Sequence, residues 1–473
     1  MVLASSNNVR VFSALETVIG EPVTDPNFFV RQRFLNVGIR AQRQQTSSEE
    51  IGIDRRSAGS FTTSDQLGGD IRFEPSFRGQ EFVDLTNIPL NTAASPSTPW
   101  FSAGLQSNNA ERLPPATQGT QITAFQACTI DTNTGAWTIG GTSTDPSNTG
   151  FYAWSPESFV DTAVPGYRIE VGGGNPFAIF TQGVWGRFVE AGNPRSCAFR
   201  VHHVISDTEA IIDSCRISPA EIARILASTG TSVDRMALIQ DGSQNYGFTN
   251  INYFSDVDVL TRQTGIQVNT MSLGHQTSQI SNGTFGLLGS AEETFSPLTG
   301  TNTPALLLGT TPTTTVRDNT AFNALSRATI AIGRRTGICA QDSSISTNNN
   351  MTQAQCIGGN SEIVTGTFEA DGTVNAFLDD DPGFATVIEK ERADNERDTH
   401  IAIVFQDGRD NTIVMEVPTA RYTDGSLDVP GAGQQVPLNL SFSGRRHPGF
   451  NDVTSTSIAG LGPSLVRIWM AGN

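Results

Sequence analysis

Asp379-Asp380-Asp381 and the run Asp407-Gly408-Arg409-Asp410-Asn411 are the densest groups of potential oxygen ligands in the chain. Three successive residues in an extended chain cannot all face one ion, and no spaced partners with Gly and Glu follow as in a calcium loop, so both runs read as acidic turns. His202-His203 falls inside a strand pattern, where neighbouring rings point to opposite faces and cannot chelate one metal. His275, His400 and His447 are isolated in sequence. Gly172-Gly173-Gly174 follows a strand, but no GxGxxG or GxxxxGK pattern leads from it into a helix, which speaks for a turn rather than a nucleotide site. No serine stands in a GxSxG context. The expectation is a chain without catalytic residues, metal ligands or cofactor.

Five cysteines (Cys128, Cys197, Cys215, Cys339 and Cys356) give no CxxC pair and no zinc spacing. Cys197 and Cys215 flank a hairpin pattern, 198–204 with 210–213, whose turn at Ser206 would bring them opposite each other. A disulfide fits that placement, and so do two buried, reduced thiols, the state expected of a cytoplasmic product.

The elements that would position these residues are strands. Leu35, Val37 and Ile39 alternate as a first strand, and Ile71 and Phe73 alternate with Asp70, Arg72 and Glu74 as a half-buried one. Between them lies a charged, Ser- and Thr-rich loop of about twenty residues, Ser47 to Asp65, longer than an ordinary connection within a domain. After Pro75 the apolar period changes, and Phe77, Phe82, Leu85 and Ile88 predict a short helix stopped by Pro89.

Residues 91–120, rich in Ser, Thr, Asn and Pro, read as a linker. Residues 121–240 carry a second set of strand patterns and one helix, announced by the capping box Ser218-Pro219-Ala220-Glu221 ahead of Ile222, Ile225 and Leu226. They read as an inserted, small β-rich domain, separating an N-terminal part (1–90) from a C-terminal part (241–473). In the latter, Asn282-Gly283 and Asp371-Gly372 read as hairpin turns, and Ile401, Ile403 and Phe405 pair with Ile413, Met415 and Val417. Val436, Leu438, Leu440 and Phe442 give the cleanest alternation.

Composition agrees with a mostly β chain: 473 residues, 37% hydrophobic, with 46 Gly. A net charge of −17 and a pI near 4.7 argue against a surface built to hold nucleic acid phosphates. The polar segment 1–10 lacks the apolar centre of a signal peptide, and apolar runs such as 305–308 are too short to span a bilayer, so no membrane association is expected.

Two separated stretches, in the same order, carry a resemblance. The first joins Glu16-Thr-Val-Ile-Gly-Glu-Pro22, Ser-Glu-Glu-Ile with Asp54-Arg55, and Gly-Gly-Asp-Ile-Arg-Phe-Glu before a Phe-rich helix. The second, 246–289, holds Phe-Thr-Asn-Ile-Asn-Tyr-Phe-Ser-Asp-Val, Gly-Ile-Gln-Val-Asn-Thr-Met-Ser-Leu and Asn-Gly-Thr-Phe-Gly-Leu-Leu-Gly. Together they resemble bacteriophage tail tube proteins. The resemblance implies a tail-tube-type β-sandwich or barrel with a flanking short helix, a long assembly loop and the inserted domain. It implies a structural virion protein, assembled in the host cytoplasm, whose hexameric rings stack into a tube. A tape measure protein would fill that tube, tail terminator and baseplate or distal tail proteins would bound it, and genomic DNA would pass through without specific binding. A carboxylate-lined lumen would repel phosphate and let DNA slide. On the residues alone the Ser47 to Asp65 loop is equally a free surface loop; with the resemblance, Glu49, Glu50, Asp54, Arg55 and Arg56 become inter-subunit contacts, and the insert a decoration of the exterior. The competing classes are a β-rich adhesion or carbohydrate-binding module, against which the five Trp and five Tyr are scattered rather than clustered, and a head decoration protein.

Overall fold

A computed structural model describes residues 9–25, 28–32, 34–47, 60–75, 100–107, 112–113, 115–131, 137–139, 143–144, 163–190, 193–215, 217–228, 230–277, 279–295, 329–333, 335–336, 340–354, 362–377, 399–406, 411–427, 436–447, 461 and 463–471. The chain is mostly β, with two α-helices among the described residues, α1 (Trp100–Gly104) and α2 (Pro219–Ala227). Its sheets stack in layers, and among the described residues they do not close into a barrel.

The first layer is an antiparallel sheet. Arg40–Ser47 pairs with Ser60–Phe73, then come Asn282–Gly289, the second half of Val259–Gln276, Ala340–Asn348, Glu369–Phe377, Pro437–Gly444 and the second half of Thr412–Leu427. Period-2 alternation gives this sheet one dry face: Ile71, Phe73, Phe285, Met271, Leu273, Ile345, Val374, Leu440 and Phe442 are all buried in one core. Each such side chain contributes roughly 2 kcal/mol by leaving water.

Beneath that core lies a middle sheet of Thr329–Ile332, Thr399–Gln406, the first half of Thr412–Leu427, Arg467–Ala471, Ala237–Gln240 and Arg112–Leu113. Its strands are buried on both faces, which is why they read as continuous apolar runs rather than alternations. Ile401, Ile403 and Phe405 face the first core, whereas Ala402 and Val404 face a second core shared with the third layer. The expected partners meet: Ile401 opposite Val417, Ile403 opposite Met415, Phe405 opposite Ile413.

The third layer is a nine-stranded sheet built between Ala116 and Arg235. Trp185, Phe188, Phe199 and Ile212 from it share the second core with Val414 and Trp469 of the middle sheet. α2 lies on this layer, and its capping box is formed as the sequence predicts: Glu221 N donates to Ser218 Oγ (3.3 Å) and Ser218 N to Glu221 Oε2 (2.9 Å).

Two long strands, Val259–Gln276 and Thr412–Leu427, each change neighbours midway. The first turns at Gly265, whose φ of +66° suits only glycine cheaply, and there Gly265 N donates to the buried Glu16 carboxylate at 2.9 Å. The second turns around Pro418, which cannot donate to a ladder.

Several local readings change. Asn282-Gly283 does not turn; both residues lie in a strand, with Asn282 opposite Gly274. Asp371-Gly372 likewise runs through the middle of Glu369–Phe377. The strand of Ile71 begins at Ser60 and pairs back to Ser47, so the polar stretch read as loop forms part of a hairpin stem. Residues 91–120, expected to be a linker, carry α1, whose Trp100 and Phe101 are fully buried and whose Trp100 stacks on Phe248 at 4.4 Å. An aromatic pair flanked by Ser, Thr and Pro has too few neighbours to show a period. The helix expected over Phe77 to Ile88 lies outside the described residues.

Candidate functional site

The wet face of the first sheet spans eight strands, and cross-strand register arranges it in rows. One row runs Arg72, Thr284, Ser272, Ser346, Asp371, Ser443 and Arg421. A second runs Gly274, Ser344, Thr373, Ser441 and Asp424, and a third Asp70, Gly286, Thr270, Asn348 and Glu369. Asn375 stands between Asp342 and Asn439.

These rows are built from short hydroxyl, amide and acidic side chains. Their hydrogen bonds run sideways, leaving a hydrated plane: Ser344 Oγ to Thr373 Oγ1 at 3.0 Å, Ser346 Oγ to Asp371 O at 3.3 Å, Asn375 Nδ2 to Asp342 Oδ1 at 2.6 Å. Asp70, Asp342, Glu369, Asp371 and Asp424 outnumber Arg72 and Arg421, so the face is acidic. Partial burial and then the charge of Glu369 hold the Asp371 carboxyl above its usual range. Such a surface wets readily and repels polyanions. Among the described residues no three His, Cys, Asp or Glu side chains are grouped to hold a metal ion.

The loop residues singled out from the sequence, Glu49, Glu50, Asp54, Arg55 and Arg56, lie outside the described residues. What is described is the stem that carries them: Arg40–Ser47 and Ser60–Phe73 pair from Arg40 opposite Gly68 to Ser47 opposite Ser60, with a bulge at Gln44/Gln45. Ala41 N donates to Glu292 Oε2 at 3.2 Å, tying the base of the stem to the strand Ala291–Phe295. Asp379-Asp380-Asp381 and 407–410 also lie outside the described residues.

Sequence reasoning missed a buried charge cluster between the middle and third layers. Glu416 Oε1 meets His400 Nε2 at 2.9 Å and Arg200 Nε at 3.2 Å, and Trp469 Nε1 donates to its Oε2 at 2.8 Å. Arg200 also lies 3.7 Å from Asp213, which in turn faces His202 Nδ1 at 3.4 Å. Burial alone would raise the Glu416 carboxyl, but the His400 hydrogen bond and the charges of Arg200, His400 and Arg467 bring it down to about 2. Burial, then the charges of Arg467 and Arg200, lowers His447 to about 3, and burial lowers Arg467 to about 10. The signal for this cluster was the lone polar residue inside each apolar run: His400 before Ile-Ala-Ile, Glu416 within Ile-Val-Met-Glu-Val, Arg467 before Ile-Trp-Met.

The quoted N-terminal motif also acquires a structural role. Glu16 accepts from Gly20 N (2.8 Å), Thr249 Oγ1 (2.8 Å) and Gly265 N (2.9 Å), fastening the first strand's exit to the bend of Val259–Gln276.

No curated protein matches the chain in sequence. The family model described as phage tail tube protein matches residues 6–444, a single span that takes in the third layer and all of the other two except the strand Arg467–Ala471. The chain therefore belongs to the phage tail tube protein family.

Proposed function

We propose that copies of this chain close into hexameric rings that stack into the tail tube, with the wet face of the first sheet lining the channel and the nine-stranded layer on the outside. Family membership makes the protein a structural component of the phage tail; ring size, stacking and DNA passage go beyond it. The observation that carries the reading is the order of the layers. A hydrated, acidic sheet face lies on one side, a sheet dry on both faces in the middle, and the nine-stranded sheet on the other. A channel that must pass DNA without holding it needs the first of these surfaces, because acidic groups repel phosphate and short polar side chains offer no sites for stacking. Ring closure would also cover sheet edges that are otherwise prone to aggregate.

In this reading residues 48–59, with Glu49, Glu50, Asp54, Arg55 and Arg56, cap a hairpin arm that reaches a neighbouring subunit. The insert read from the sequence at 121–240 corresponds to this outer layer, whose strands run from Ala116 to Arg235 while Ala237–Gln240 joins the middle sheet, and the shared core holds it outside. The tape measure protein occupies the channel before DNA does, tail terminator and baseplate or distal tail proteins bound the tube, and assembly takes place in the host cytoplasm.

Electron microscopy of the purified chain at high concentration, with mass determination, tests this. Six-fold rings or stacked tubes whose reconstruction has Glu369 and Asp371 at the channel wall are the expected outcome. A chain that stays monomeric, or a tube with the nine-stranded sheet facing the lumen, overturns it.

A further inference from the structure

We propose that Cys197 and Cys215 form an intrachain disulfide once the protein leaves a reducing environment. Their sulfurs lie 3.2 Å apart, in contact but not bonded to each other. A bond needs them at about 2.05 Å, a closure of about 1 Å. The pairing is built into the fold rather than accidental. Cys197 lies on Asn193–Ser206, Cys215 follows Glu209–Asp213, and the register of these two strands, with Arg200 opposite Asp213, delivers both sulfurs to the same end of the hairpin.

The position gives the bond a consequence. Cys215 stands three residues before Ser218, the N-cap of α2, and its carbonyl accepts from Thr336 Oγ1 at 3.4 Å on the strand Arg335–Thr336, which pairs with the middle sheet. A disulfide would therefore fasten a third-layer strand to the start of α2 and to the junction with the middle layer. Closing an 18-residue separation removes freedom from the unfolded chain more than from the folded one.

The chemistry needs an oxidant, and a small-molecule disulfide supplies it. One protein thiol loses its proton, and the thiolate attacks the small disulfide, breaking its S–S bond and releasing one small thiolate. The second protein thiolate then attacks the mixed disulfide at the protein sulfur, forming Cys197–Cys215 and releasing the other small thiolate. The two protons pass to the two released thiolates, and two electrons pass from the cysteines to the oxidant. Cys197 is buried, and the Cys215 thiol is held well above its usual range by its hydrogen bond with Cys197 and then by burial, so the reaction is slow at neutral pH and faster in alkali. That a tail functions outside the reducing cell rests on the family assignment; the thiol chemistry does not.

The test incubates the reduced, full-length chain with oxidised glutathione and compares it with the untreated chain. The expected result is an intact mass lower by two hydrogens, a digest fragment joining the Cys197 and Cys215 peptides, and a melting temperature higher by about 2 °C or more. Cys197→Ser and Cys215→Ser each abolish the crosslink, and Cys128→Ser, altering a cysteine on a different strand of the sheet, retains it. A chain whose two thiols stay alkylatable, a persistent glutathione adduct, or a crosslink through Cys128, Cys339 or Cys356 overturns the proposal. Because the wild-type digest is read on unassembled protein, failure to form tubes leaves the test intact.

Discussion

Arg200 and Glu416 face each other across two sheets, Nε to Oε1 at 3.2 Å, with both side chains buried. Arg200 belongs to the nine-stranded layer and Glu416 to the middle sheet. The layers are thus joined by charge as well as by the apolar core they share; parted, Glu416 would keep His400 and Trp469 of its own sheet, and Arg200 would keep Asp213 of its own layer.

Removing one partner takes away part of the compensation of a buried charge, a loss that costs up to about 3–5 kcal/mol. Glu416→Ala and Arg200→Met should each destabilise the chain by that order in urea unfolding. The double variant should cost clearly less than the sum, since the contact between Arg200 and Glu416 can be lost only once.

The same carboxylate sets an acid limit. Its folded pKa of about 2 lies below the ordinary 4.5, so its contribution is complete above 4.5 and is lost as pH falls through about 2. Stability measured between those values should fall steadily in the wild type. Glu416→Gln, which has no carboxylate to protonate, should show a shallower fall over the same window.

Part of the middle sheet was legible, since Ile401, Ile403 and Phe405 do pair with Val417, Met415 and Ile413, but the burial of both its faces was not. Gly283 and Gly372 were misread for a physical reason. Asn-Gly and Asp-Gly are hairpin signals because glycine tolerates positive φ, but here glycine serves close approach. A Cβ on Gly372 would stand 2.2 Å from Phe442 Cζ, and one on Gly283 would stand 2.3 Å from Phe73 Cζ. Which ring covers which glycine depends on strands distant in sequence, and no local pattern carries it. The Arg200–Glu416 contact was hidden likewise, because 215 intervening residues separate two polar residues that each read alone as exceptions. Gly372→Ala should therefore destabilise by about 1–3 kcal/mol through overpacking. Phe442→Leu in the same chain should recover part of that loss.

Glu16 shows the opposite pH behaviour. Burial raises its carboxyl above 4.5 despite hydrogen bonds from Gly265, Gly20 and Thr249. The folded state therefore binds its proton more tightly than the unfolded state, and the associated stability, complete below 4.5, is lost as pH rises through the raised value. Glu16→Gln should remove that slope. Since an amide nitrogen cannot accept, it should also cost about 1–3 kcal/mol near neutral pH by leaving one of those donors without its acceptor.

The arm can be tested apart from the subunit's stability. Replacing residues 48–59 by a two-residue Asn-Gly turn keeps Ser47 opposite Ser60 and the stem below it. If 48–59 reach a neighbouring subunit, the shortened chain should melt like the wild type and fail to form rings or tubes by electron microscopy. Normal tubes from that variant would assign the assembly contacts elsewhere.

Glu369→Lys with Asp371→Lys tests the channel assignment. Both residues are exposed on the wet face, so reversing their charge should change subunit stability by no more than about 0.5 kcal/mol. Tube formation should also persist, because the reading assigns these positions to the lumen and not to a subunit contact. Each ring would then present twelve new positive charges to passing DNA if six copies close it, in place of carboxylates that repel phosphate. Particles carrying the variant should release DNA more slowly, and the defect should shrink as salt rises, since screening weakens attraction between lysine and phosphate. Unchanged release at low salt from normally assembled tails would remove the wet face from the channel wall.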